Sequence, residues 1–377
     1  MPAFQPFVME QMMSEWENVV DVNLSESGVH PMTLGELLAM DGREAGDLAD
    51  IGQFYPQANG TPELRENIAA LYDGATKDDV LVTIGAAEAN YLAVNTFLEP
   101  GDEIVLVLPN YMQIWGVAKN RGCRIREVHL DVDDDWSLDA SALDEAVTAD
   151  TRMIAVVNPN NPTGRIMSAA EMDAVVAAAE RVGAWLLADE VYRGAEREKD
   201  ETPSFYGRYD KVLAQGSMSK AYGLPGLRVG WTVGPAKAVG EMWRRHEYTT
   251  IALSMLSDEL TRTALSPTVR PQILARTRML LKGGYGLLGE WLSEQGDVFT
   301  GTPPDAAAIT FLKYDLPINS TEWMEQLRDD SGLLIVPGDH FGLDQHIRLS
   351  FAVPEPELLD GLGRLGESVK RLRGQSV

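Results

Sequence analysis

The chain has 377 residues, 45% hydrophobic, with 32 basic against 57 acidic side chains, a formal net charge of −25. That length suits one large globular domain or one with a smaller companion, and the negative charge repels nucleic-acid phosphates and anionic membrane surfaces. A lone Cys123, five histidines (His30, His129, His246, His340, His346) without ligand-like spacing, no apolar run near roughly 18 residues, and no leader-like start exclude a disulfide framework and argue against a metal centre or a membrane span.

In chain order, Met9, Met12 and Met13 beside Trp16 form the apolar face of an expected N-terminal helix. Residues 26–31 should be non-helical, because Gly28 is permissive and Pro31 restricts His30. A helix over 62–72 takes Thr61 as N-cap and Pro62 as its first residue. Further helices over 87–98, 111–121 and 168–182 interleave with strands at 103–108, 153–158, 184–189, 211–215 and 228–233. The helix at 168 opens with Ser168 and Glu171 at capping-box spacing. The strands are short runs of mainly Val, Ile, Leu and Ala without alternation, so both faces should be buried in a parallel α/β sheet. Asp131–Asp135, four acids in five residues, reads as a solvated loop.

After about residue 235 the texture changes to long helical stretches over 235–265 and 271–295. Strands at 309–314, 333–336 and 346–351 follow, then a helix from Pro356, which together suggest a second, mixed α+β unit. Gly284-Tyr285-Gly286-Leu287-Leu288-Gly289 has dinucleotide-binding spacing but sits inside a helical stretch with no strand before it, so that function is rejected.

The segment Ser217-Met218-Ser219-Lys220, with Gly223 and Arg228 following, places a lysine among small hydroxyl residues in a turn. A lysine beside anion-binding groups suits a Schiff base to an aldehyde cofactor bearing a phosphate, with Ser217, Ser219 and Arg228 on the phosphate. On its own the segment is equally compatible with a surface lysine in a loop. Two more segments bear on it. Asn158-Pro159-Asn160-Asn161-Pro162-Thr163-Gly164 follows one buried strand, and Asp189-Glu190-Val191-Tyr192 ends the next. Ligand sites of parallel sheets gather at these carboxyl ends. A carboxylate buried at Asp189 is costly unless a cation meets it, and a protonated pyridine nitrogen is such a cation. Plain capped turns are the alternative for both segments.

Taken in order, these motifs resemble the pyridoxal-phosphate enzymes of fold type I, in particular the class I/II aminotransferases of the aspartate aminotransferase branch. Tyr55…Gly60…Leu64-Arg65, Thr83…Gly85-Ala86-Ala87, Pro100-Gly101-Asp102-Glu103, Pro109-Asn110-Tyr111, Val336-Pro337-Gly338…Phe341-Gly342 and Arg348-Leu349-Ser350-Phe351 extend the resemblance over most of the chain. It implies an α/β fold: a large domain (46–270) with a mainly parallel sheet flanked by helices, and a smaller α+β domain (1–45 and 271–377) with an N-terminal arm. It implies pyridoxal 5'-phosphate on Lys220, which would also move the substrate α-proton. Asp189 would pair with the pyridinium nitrogen, and Asn161 and Tyr192 would bond the phenolic oxygen. Tyr111 would stack on the ring, while the backbone amides of Ala86 and Ala87 would join Ser217, Ser219 and Arg228 around the phosphate. Arg348 would grip the substrate α-carboxylate, with Asn161 and Gly28 beside it. The implied assembly is a cytoplasmic homodimer in which Tyr55 reaches the partner's phosphate, transferring an amino group from an L-amino acid to a 2-oxo acid.

Near the start, Leu24-Ser25-Glu26-Ser27-Gly28-Val29-His30-Pro31 departs from the family's turn. It is faintly similar to the loop of PLP enzymes that cyclise or oxidise arginine derivatives, such as capreomycidine synthase. The alternative function is therefore a lyase, cyclase or oxidase of the same fold. His30 could face the bound amino acid as a proton donor or acceptor; the plainer reading has it cap the helix near Thr33 or sit at the surface. A non-catalytic regulator module is disfavoured by the net charge and the lack of a basic DNA-binding segment before residue 50.

Overall fold

The apolar runs between residues 80 and 233 assemble, in a computed structural model describing residues 4–374, into one seven-stranded sheet. Its strands, numbered here along the chain, are β1 (Val80–Thr83), β2 (Glu103–Leu108), β3 (Arg124–His129), β4 (Thr151–Val157), β5 (Trp185–Asp189), β6 (Val212–Ser217) and β7 (Gly230–Val233). Their spatial order is β1-β7-β6-β5-β4-β2-β3. All neighbours are parallel except β7, which runs antiparallel to both β1 and β6. Five strands coincide with the apolar runs, and the sheet is mainly parallel as expected. β1, a four-residue strand, is not among the expected ones. β3 escapes sequence reading because, as the edge strand, it carries Arg124, Arg126, Glu127 and His129 and is largely exposed.

Helix starts follow the local chemistry. Thr61 accepts from the Leu64 amide with Pro62 at the first position, and Ser168 and Glu171 form a reciprocal capping box. The helix expected from 111 begins at Gln113, which leaves Tyr111 on the preceding turn. The stretch over 235–265 is two helices, Ala236–His246 and Met255–Ala264. Between them Thr249 and Thr250 turn their hydroxyls onto Glu88, and Ile251 takes a φ of 68°. Those tertiary bonds draw the chain out of the helical path.

Beyond the 25-residue helix Arg270–Glu294 lies a four-stranded antiparallel sheet in the order Val336–Pro337, His346–Ser350, Ile309–Tyr314, Phe299–Thr300. The expected strand over 333–336 splits: Leu333–Leu334 instead pairs in parallel with Val22–Asn23. The N-terminal segment is thereby anchored beside the second sheet, and its helix Val8–Trp16 buries Met9, Met12 and Met13. Among the described residues no helix is long and apolar enough to cross a membrane.

The register that matters for the site is Val157↔Asp189, Asp189↔Gln215 and Ser217↔Gly230. It lines up the carboxyl ends of β4, β5 and β6 along one edge of the sheet.

The glycines of 284–289 lie within Arg270–Glu294 and have a packing role. A Cβ at Gly284 would collide with the backbone carbonyl of Phe351, whereas Gly286 and Gly289 face open space. Gly286→Ala and Gly289→Ala should each stabilise the protein by up to about 1 kcal/mol through helix propensity. Gly284→Ala should destabilise it by about 1–3 kcal/mol, since the rigid backbone must shift. Chemical denaturation of the three variants checks this; a stabilised Gly284→Ala would contradict the close helix packing.

Candidate active site

The carboxyl edge of the large sheet faces a cavity of about 360 Å³, closed by the N-terminal helix, the 24–31 loop and Arg348 of the second sheet. At one end the chain leaves β6 through a tight turn. Ser219 donates its amide to Ser217 Oγ (2.9 Å), and Met218 donates its own to the Val229 carbonyl (3.0 Å). This turn delivers Ser217, Ser219 and Lys220 to the cavity wall. Gly28 backs it closely: a Cβ there would lie 3.0 Å from the Ser219 carbonyl and 3.6 Å from Lys220 Cα.

Arg228 sits at φ 53°, a left-handed conformation that costs a non-glycine residue about 1–3 kcal/mol. The bend is held by Nη1 donating to the Pro225 carbonyl (3.0 Å), and it sends the guanidinium beneath Gly85. A Cβ on Gly85 would approach Arg228 Nη2 to 2.7 Å, and one on Gly230 would strike the Ala86 amide nitrogen. Only bare backbone fits here. The helix Ala86–Phe97 starts at this point, with Ala86 and Ala87 on the cavity. Two hydroxyls, a guanidinium and a free helix N-terminus make an anion cradle of the kind that holds phosphate.

Asp189, only 3% exposed, occupies the middle of the cavity floor. Its Oδ2 accepts from Asn90 Nδ2 (2.8 Å) and its Oδ1 from the Val191 amide (3.3 Å). Burial pushes this carboxyl above its ordinary value, and the two donors and the charge of Lys220 only partly counter it. Asn90 Oδ1, also buried, has no partner in the protein. Tyr111 lines the wall with its hydroxyl donating to Glu10 Oε1 (2.6 Å) and its ring 5.1 Å from that of Phe7. Burial and then Glu10 hold that phenol well above the usual range.

Opposite, Arg348 is buried in the middle of His346–Ser350. Nη1 donates to Asn161 Oδ1 (3.0 Å) and Nη2 to the Ser25 carbonyl (2.5 Å), while Nε has no partner. Burial lowers its pKa, so a carboxylate arriving here meets a poorly solvated guanidinium. Tyr192, 2% exposed, lines the same wall.

Lys220, Asp189, Tyr192, Asn161, Tyr111, Ser217, Ser219, Ala86, Ala87, Arg228 and Arg348 thus share one cavity, and Gly28 lies directly behind Lys220. Three expected residues, Gly28, Tyr55 and His30, do not line it. Tyr55 is 84% exposed on an extended segment. His30 is exposed; its amide donates to the Ala352 carbonyl (2.8 Å), and its own carbonyl accepts from Arg276 Nη1 (3.0 Å). Sequence reading missed Asn90, Glu10, Glu17 and Glu26. Asn90 had a signal: it is a lone amide in the apolar run 89–94 of Ala86–Phe97, one turn from Ala86.

The raised pKa of Asp189 has a consequence for stability. A carboxyl raised in the folded state favours folding fully below its unfolded value, ordinarily 3.8. That contribution is lost as pH rises through the folded pKa. Asp189→Asn in the cofactor-stripped protein should therefore raise the melting temperature at neutral pH, with the gain vanishing at about pH 4 and below. A lower melting temperature at neutral pH would contradict the burial argument.

A ring with a cationic nitrogen, a phenolic oxygen and a phosphate fits these groups: Asp189 for the nitrogen, Asn161 and Tyr192 for the oxygen, the Gly85 cradle for the phosphate. The comparisons agree. Capreomycidine synthase from Streptomyces vinaceus is 29% identical over 96% of this chain and 93% of its own length. A solved PLP-dependent aminotransferase from Streptococcus suis superposes with a TM-score of 0.92 at 30% identity, covering 98% of both chains. The PLP-dependent cyclase OrfR does so with a TM-score of 0.89 at 26% identity, covering 100% of this chain and 99% of its own. Residues 44–365 match the model of the family described as aminotransferase class I and II, and the chain is a pyridoxal-phosphate-dependent member of that family.

Proposed function

We propose that the protein is an aminotransferase that moves an amino group from an L-amino acid to a 2-oxo acid. The observation that carries this reading is the placement of Lys220, Asp189 and Arg348 around one cavity, with Asn90 donating to Asp189 and Asn161 accepting from Arg348. Pyridoxal phosphate supplies an aldehyde for the amino group and a cationic ring that draws electrons from the α-carbon. Lys220 Nζ takes the α-proton and returns it elsewhere. Asp189 keeps the ring nitrogen protonated, and Asn90 holds the carboxylate in place for it. Arg348 would fix the α-carboxylate, its guanidinium tied to the cavity wall by Asn161.

A second reading, a lyase, cyclase or oxidase on the same machinery, has a specific observation in its favour. Glu26 lies in the loop packed on Lys220; burial raises its carboxyl, but the charges of Lys220 and Arg348, with hydrogen bonds from Glu17 and the Ser27 amide, together hold it low. A charged carboxylate beside Lys220 is a base that a side-chain reaction needs and amino exchange does not. The names of capreomycidine synthase and of the cyclase OrfR point the same way.

Single-turnover assays separate the two. With an amino acid and no acceptor, the first reading expects one 2-oxo acid per site without ammonia, and the pyridoxamine form of the cofactor. Oxo acid with ammonia, or a cyclised amino acid, would replace it with the second. Borohydride should fix the cofactor to the peptide carrying Lys220, and Lys220→Ala should lower turnover by at least about 100-fold. Label on another lysine would overturn the assignment.

A cytoplasmic homodimer belongs to the same reading. Phe54 and Tyr55 are 65% and 84% exposed, apolar surface that a second copy would cover. Sedimentation should give a dimer, and Tyr55→Phe should weaken cofactor retention; an active, cofactor-loaded monomer would remove the role.

A further inference from the structure

We propose that the amino acid taken by this cavity has a side chain ending in a cation, an ammonium or a guanidinium, held by the carboxylates of Glu10, Glu17 and Glu26. The inference rests on the reading that Arg348 receives the substrate α-carboxylate.

Three basic side chains line the cavity, and each has a task. Arg228 lies under Gly85 in the phosphate cradle, Lys220 faces the cofactor aldehyde, and Arg348 is tied to Asn161 and the Ser25 carbonyl. No fourth lysine, arginine or histidine is present on that lining. A second substrate carboxylate would meet no free cation, and the acids themselves would repel it.

The acids come from three places in the chain. Glu10 projects from Val8–Trp16, Glu17 follows that helix directly, and Glu26 lies on the 24–31 loop. Among the described residues no lysine or arginine forms an ion pair with any of them. Glu10 accepts the Tyr111 hydroxyl, Glu17 accepts from its neighbour Asn18 (3.5 Å), and Glu17 and Glu26 lie close enough for each to perturb the other's charge. Burial and then the charge of Glu26 raise the Glu17 carboxyl. The fold thus gathers acidic groups of separate elements on one cavity, and the cations that act on them, Lys220 and Arg348, are those already assigned a task.

Two further polar groups of the lining lack partners within the protein. Arg348 and Asn90, on different walls of the cavity and each at least 98% buried, carry polar atoms, Nε and Oδ1, that nothing in the protein satisfies. Ser25 and Glu26 are consecutive: the carbonyl of one positions Arg348, and the side chain of the other joins the acidic wall. A molecule anchored at Arg348 by its α-carboxylate therefore has the acids next to it.

The test is calorimetric titration of the holoenzyme with L-ornithine, L-lysine, L-arginine, L-norleucine and L-glutamate, with oxo-acid release followed in parallel. At least one cationic amino acid should bind about tenfold or more tightly than norleucine, with glutamate weakest. Ornithine and lysine against arginine distinguish ammonium from guanidinium. The double variant E17Q/E26Q should lose the preference for the cationic amino acids over norleucine. Norleucine or glutamate binding as tightly as every cationic amino acid to the unaltered enzyme would overturn the inference, even where transamination proceeds. Preferential binding of a cationic amino acid without oxo-acid exchange would uphold it while removing the aminotransferase reading. Absence of binding by all five would overturn both.

Discussion

Asp189 ends β5 with its carboxylate withdrawn from water, and the protein compensates it incompletely. One side-chain amide, a longer backbone contact and the distant charge of Lys220 leave its pKa raised. The group is held ready for a cation that the polypeptide does not supply. Much of the surrounding architecture serves that placement. The β4–β5–β6 register puts Asp189 between the strand ends that lead to Asn161 and to Lys220, and the helix that opens on the phosphate cradle brings Asn90 to Asp189 one turn later. In the proposed reading a single helix would address both ends of the cofactor, through its amide terminus and through a side chain.

The other half of the cavity belongs to residues distant in sequence. Arg348 donates to Asn161 across 187 positions and to the Ser25 carbonyl across 323, which joins the second sheet, the large sheet and the N-terminal loop in one network. Tyr111 extends it to Glu10 on the N-terminal helix. The parallel pairing of Val22–Asn23 with Leu333–Leu334 keeps that N-terminal segment in position. The acids it carries are a small part of the chain's large negative charge, but they are the part that faces a ligand.

What could be read in the sequence was whatever is local. Buried parallel strands announce themselves as unbroken apolar runs, and Thr61 and Ser168 mark helix starts through bonds to residues three positions away. Motifs tied to backbone shape, the Ser217–Lys220 turn and the Asn161–Gly164 turn, were equally visible. Hidden were contacts made only by folding. Asn90 looks like one amide in a helix until β5 brings Asp189 to it. Glu10, Glu17 and Glu26 look like solvated acids until the pairing with Leu333–Leu334 draws them to the cavity. The break at Ile251 depends on Glu88, more than 150 residues earlier. His30 answers to the plainer of its two readings: it lies at the surface off the cavity, held through its backbone amide and carbonyl.

The most direct test of this view of Asp189 is the 15N resonance of the ring nitrogen in enzyme loaded with labelled pyridoxal phosphate. A buried carboxylate that awaits a cation predicts a pyridinium shift, constant across the neutral pH range, that moves to the free-pyridine position in Asp189→Asn. A free-pyridine shift in the unaltered enzyme at neutral pH would contradict it.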